Sequence, residues 1–183
     1  MFKKKEVLLL HAGNLWDFGA GMLGPLFAVF TEKIGGSILD ITWAWATYLL
    51  VTGTLIIFIG KLSDKKIKKE KLLTIGYALN AVFTFGYLLV SSPFHLFFLQ
   101  AGLGIATALV TPSWQALYAK YEDKKHDGYT WGMASGSSNI VTAIGIIIGG
   151  MIVAYASFKA LFITMGIIQT IAAIYQAKIL NKK

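Results

Sequence analysis

The sequence predicts an all-α integral membrane protein: one domain, residues 1–183, folded as a bundle of six transmembrane helices. Three observations carry that prediction. The chain is 56% apolar with a mean hydropathy of +0.63, where soluble domains sit near 45–50% apolar. Charged residues make up only 14%, against about 25% in soluble proteins. The charges also gather at the ends of apolar runs, and those runs approach the ~20 residues a helix needs to cross the hydrocarbon.

The spans are expected near residues 7–30, 41–60, 72–90, 94–118, 129–155 and 158–180. The first follows Lys3, Lys4 and Lys5. It is too long for a signal peptide, contains Asp17, and has no small-x-small cleavage site after a compact apolar core. It therefore reads as a retained helix. The second span is almost wholly apolar. In the third, Asn80 and Thr84 share a face and read as polar glue between helices. The fourth carries a polar stripe and Pro112, which removes a backbone bond and offers a bending point. The fifth opens with Ser135, Gly136, Ser137, Ser138, Asn139 and Thr142, read mostly as packing residues. The sixth ends at the C-terminal lysines. Short linkers make sequential helices antiparallel neighbours, and the alternating pattern of a membrane barrel is absent.

All 17 basic residues are lysine. Apart from Lys33 and Lys159, they fall at the two termini and on the second and fourth linkers. The positive-inside rule then places both termini in the cytoplasm of a multi-pass protein in the cell (inner) membrane. Several lysines, Lys65, Lys66 and Lys71 among them, read as topology anchors on anionic lipid. This pattern accounts for the net charge of +8 without nucleic acid. With no cysteine, disulfides and thiolate metal or redox sites are excluded.

Ionisable groups inside a membrane are costly and mark function by default. Asp17 lies near mid-depth of the first span, and Asn14 shares its face one turn earlier. Such a carboxyl can bind and release a proton or pair with a cationic substrate; the competing reading is a structural acid satisfied by Asn14, backbone groups or another helix. On the fourth span, Gln100, Gly104, Thr107, Thr111 and Gln115 recur at helical spacing, with Trp114 beside them. That stripe faces either a water-filled cavity or another helix. Gly102, Gly104, Gly145, Gly149 and Gly150 read as packing glycines that let backbones approach. Gly60 has the same reading. Trp43 and Trp131 fit interfacial anchors best. His11, His95 and His126 share no ligand spacing, so no metal or cofactor is expected. No zinc motif, nucleophile–base pair or phosphate-binding loop appears, which argues against an enzyme or an ATP-driven pump.

The hairpin Gly60-Lys61-Leu62-Ser63-Asp64-Lys65-Lys66-Ile67-Lys68-Lys69 resembles the signature loop of the major facilitator superfamily, between its second and third helices. Gly60, Leu62, Asp64, Lys65, Lys68 and Lys69 fall on that pattern; Ile67 stands where the family has Gly. Asp64 is expected near the start of the third helix, at the positive end of its dipole. In the resemblance it helps latch the cytoplasmic helix ends. Gln100–Ala106 is similar to part of the family's fourth-helix motif, with Phe98 in place of its arginine. Gly145–Gly150 resembles the antiporter motif of the fifth helix, with Ile146 in place of proline. Residues 155–162 resemble the turn that follows.

The resemblance implies a secondary transporter that moves a small-molecule substrate by alternating access, and a first helix that lines its cavity. Family members normally have twelve helices in two similar halves, and this chain resembles the first. It is expected to pair with a second copy, to pair with a separate six-helix half, or to be a fragment. The alternative is a non-transporting accessory or dimerisation module.

Overall fold

A computed structural model describes residues 4–65 and 67–180; the side chains of Ser63 and Lys65 fall outside that description. The lysines at positions 3, 66, 182 and 183 therefore lie outside the described residues. The fold is all-α. Its helices are α1 (Lys4–Gly21), α2 (Leu26–Lys33), α3 (Ile38–Lys65), α4 (Lys69–Gly86), α5 (Pro93–Tyr121), α6 (Asp127–Tyr155) and α7 (Phe158–Ala177). Single 3₁₀ turns, Tyr87–Leu89 and Lys178–Leu180, extend α4 and α7. Among the described residues, α3 to α7 are the five helices long and apolar enough to cross a membrane.

The first predicted span, 7–30, is corrected: it is two helices. The chain turns through residues 22–25, with Gly24 at φ +20° and Pro25 heading α2. Pro25 has no N–H for the Gly21 carbonyl, and its ring would collide with that group. The turn closes instead on shorter bonds, Leu23 N–H to Ala20 O at 3.4 Å and Phe27 N–H to Gly24 O at 3.2 Å. α2 ends in a Schellman-type cap, with Gly35 at φ +84° and Gly36 N–H on Thr31 O at 2.9 Å.

Three later helices start on side-chain caps. Ser37 and Asp40 form a reciprocal box, Ser37 N–H donating to Asp40 Oδ2 at 2.7 Å and Asp40 N–H to Ser37 Oγ at 3.3 Å. Ser92 caps α5 ahead of Pro93, and Ser157 accepts from Ala160 N–H at 3.1 Å. Helix α5 continues through Pro112, so no break appears at the expected bending point.

Two apolar clusters hold the bundle. One gathers Leu8, Leu73, Leu117, Tyr118 and Ile179, which brings the lysine-rich ends of α1, α4, α5 and α7 together. The other gathers Phe30, Ala44, Tyr87, Leu96, Phe158 and Phe162 at the opposite end. Helix α1 runs parallel to α6 in close contact: a Cβ on Gly145 would strike Phe18 O, and one on Gly149 would strike Met22 O. Gly102 faces the Phe83 ring, and Gly104 lies against Tyr48 O of α3. Among described residues nothing lies within 4 Å of a Cβ at Gly150 or Gly60. Gly150 is one residue past Gly149, and so turned about 100° off the seam. Helices α3 and α6 keep most of their apolar surface outside the bundle.

Candidate functional site

A cavity of about 430 Å³ opens between α1, α4, α5 and α6. The sequence-predicted residues Asn14, Asp17, Thr107, Thr111, Trp114 and Gln115 all line it. Helical spacing puts Asn14 and Asp17 on one face of α1, and parallel packing sets that face against the start of α6. There Ser137 Oγ donates to Asn14 Oδ1 at 3.1 Å, and Ser138 hydrogen-bonds Asp17. Of the partners considered for Asp17, another helix is the one observed, and Asn14 has its own bond across the seam. Ser137 and Ser138, read from sequence as packing residues, hold the polar groups of the site.

The opposite wall is aromatic. Trp114 stacks on Tyr118 with centroids 4.7 Å apart, and Trp131 meets Tyr118 edge-on at 5.0 Å. Trp114 Nε1–H donates to Leu9 O at 3.2 Å, and Tyr118 OH to Thr130 O at 2.8 Å. Trp131 is therefore corrected from interfacial anchor to cavity wall. Trp43 stays exposed on α3, as an anchor would. The site joins one carboxylate, hydroxyl and amide groups, and indole faces. Such a lining suits an amphipathic organic molecule, with the acid free to exchange a proton or face a cation.

The polar stripe of α5 divides. Thr111 and Gln115 face the large cavity, whereas Gly104 is packed against α3, with Thr52 Oγ1 donating to its carbonyl at 3.3 Å. Thr107 accepts from Tyr48 OH at 3.2 Å and borders both this cavity and a second one. Gln100 lies in the second cavity, buried, its Oε1 accepting from Tyr87 OH at 3.4 Å. Asn80 and Thr84 also line it, and Thr84 bonds the Asn80 carbonyl within α4. The Thr84 hydroxyl is thus spent within its own helix and not between helices.

The basic hairpin differs from expectation. Helix α3 runs past Gly60 to Lys65, because the charged residues there lie beyond the apolar run and still favour helix. Asp64 therefore sits in the last turn of α3, at the negative end of that dipole, not at the start of the next helix. It pairs with Lys69 in the first turn of α4 at 3.1 Å, its side chain 73% exposed. An exposed pair of this kind contributes about 0–1 kcal/mol. Lys68, extended, heads α4.

Sequence reasoning missed Tyr48, Tyr77 and Gln169 as cavity residues. Gln169 carried a readable signal, an amide at mid-depth of an apolar span. The tyrosines did not, because a tyrosine in an apolar run is ordinarily packing.

A profile of the Major Facilitator Superfamily matches residues 12–181. An uncharacterised MFS-type transporter of Methanocaldococcus jannaschii is 27% identical over 85% of this chain and 40% of its own length. A multidrug resistance efflux pump PmrA homologue of Lactococcus lactis is 30% identical over 56% of this chain and 25% of its own. The multidrug resistance protein MdtG of Salmonella schwarzengrund is 24% identical over 81% of this chain and 38% of its own. The chain thus spans at most about two fifths of the curated relatives it matches. With its apolar helices and a family match over nearly its whole length, the chain is a multi-pass membrane protein that belongs to the major facilitator superfamily.

Proposed function

We propose that the chain is a six-helix unit of a secondary transporter, moving a small amphipathic organic molecule by alternating access. The observation that carries this reading is the large cavity, where Asp17 stands beside hydroxyl and amide groups and faces Trp114 and Trp131. The names of the multidrug relatives support the substrate class. Helices α1 and α2 together make the first of six crossings, and the break at Gly24-Pro25 lies within it. The lysine-rich end faces the cytoplasm, by the positive-inside rule. Asp17 exchanges a proton or the charge of a cationic substrate as the cavity changes sides. Asp64 and Lys69 link the cytoplasmic ends of α3 and α4. The mostly uncovered faces of α3 and α6 meet lipid and a second six-helix unit, supplied by another copy or a separate chain.

The test is efflux of a fluorescent cationic dye from proteoliposomes under a proton gradient. The unmodified chain accelerates it, and Asp17→Asn abolishes its dependence on the gradient. Dye flux equal to that of protein-free liposomes, with the chain correctly inserted, refutes a carrier built from copies of this chain alone. That result favours an accessory module, a reading motivated by the short match to the relatives. Cross-linking in nanodiscs reports whether two copies assemble.

A further inference from the structure

The second cavity, about 150 Å³, lies between α1, α2, α3, α4, α5 and α7. Its lining holds no carboxylate, ammonium or imidazole. Trp16, Phe27 and Trp45 give it aromatic walls, and Gln100, Asn80 and Gln169 bring amides to it. Gln169 is the informative one. Its Nε2 donates to Trp16 O at 2.9 Å. A backbone carbonyl accepts only from the amide nitrogen, so that bond fixes which way the group is turned. Its Oε1 is then left without a partner among the described residues, on a side chain 1% exposed. A buried acceptor in this state is costly unless something donates to it.

We propose that this cavity binds a neutral, benzene-sized molecule with one O–H or N–H donor, and that Gln169 Oε1 accepts from that donor. A space of roughly 150 Å³ is of the size that holds a benzene-sized guest. The absence of charge in the lining disfavours ions, which would be desolvated without a counter-charge. Trp16 and Thr107 border both cavities, and the guest is proposed to enter this chamber past them from the larger one. The site therefore rests on reading the larger cavity as open to solutes.

The experiment uses the full chain in nanodiscs, with Trp43, Trp114 and Trp131 changed to Phe so that only Trp16 and Trp45 emit. Quenching is titrated with meta-nitrophenol, kept neutral at mildly acidic pH, and with meta-nitroanisole, which has no donor. Saturable quenching by the phenol at concentrations at least about tenfold lower is expected, since a site built for a donor rejects the analogue without one. Gln169→Met, similar in volume, removes that difference. Equal quenching by the two probes, or a preference that survives Gln169→Met, overturns the proposal. If Gln169→Met does not fold, the comparison of probes on the parent decides alone. Saturable phenol binding without dye flux refutes a carrier built from copies of this chain alone and keeps this site; dye flux with equal quenching refutes this site and keeps the carrier.

Discussion

Asn14 and Ser137 meet across the α1–α6 seam, the serine hydroxyl 3.1 Å from the asparagine Oδ1. One residue further along α6, Ser138 reaches Asp17. Two adjacent serines thus position both polar groups that α1 brings to the large cavity. Interhelical hydrogen bonds of this kind average about 0.6 kcal/mol in membranes. Ser137→Ala should therefore lower stability by about that amount, seen as a small drop in thermal unfolding temperature in detergent. A loss several times larger would mean that the bond carries a structural burden beyond its own strength.

Gly149 and Gly150 give a sharper contrast. A Cβ on Gly149 strikes the Met22 carbonyl, whereas one on Gly150 meets open space among the described residues. Gly149→Ala should cost about 1–3 kcal/mol by overpacking. Gly150→Ala should stay within about 0.5 kcal/mol of the parent, as substitutions away from special features do. Thermal unfolding of both variants checks the pair, and equal losses would show that the seam lies elsewhere on α6.

Gly35 tests backbone alone. Its φ is +84°, and a Cβ there touches nothing within 4 Å among the described residues. Gly35→Ala should cost about 1–2 kcal/mol from the left-handed conformation. Gly35→Asn should cost less, because asparagine tolerates that region. Unfolding temperatures should rank Gly, Asn, Ala in falling order.

The turn after α5 responds to pH. Asp123 accepts from Lys125 N–H at 3.1 Å and lies 3.2 Å from His126 Nδ1. Chiefly the backbone bond, then the contact with His126, holds its carboxyl below the ordinary value of 3.8. A lowered acid stabilises the folded turn above its unfolded pKa, and that contribution fades as pH falls through the folded one. The Lys125 amide should stay protected from hydrogen exchange near neutrality and lose protection below about pH 4, after correction for intrinsic rates. Asp123→Ala should remove the pH response.

Much of this protein is local in origin. A membrane leaves no water to satisfy backbone groups, so a long apolar segment must be helical. The presence and order of α3 to α7 follow from that. The break at Gly24-Pro25 was equally local, a proline's missing N–H. It passed unread because hydropathy runs smoothly across it. Asp17, Asn14 and the lower half of the α5 stripe were legible as cavity residues because polarity inside hydrocarbon is expensive.

What the tertiary structure alone decided is which neighbour each of those groups meets. Among the described residues Gly149 packs and Gly150 does not, although composition treats them alike. Trp131 closes a cavity wall because Tyr118 and Trp114 are brought to it from α5. Among the described residues Gln169 keeps an unused acceptor, because Trp16, far away in sequence, takes its N–H and so fixes which way the amide is turned. Helix formation is written in each segment's own hydrogen-bond needs. Partnership between helices depends on the rotation and depth at which separate faces dock, and no single segment encodes that.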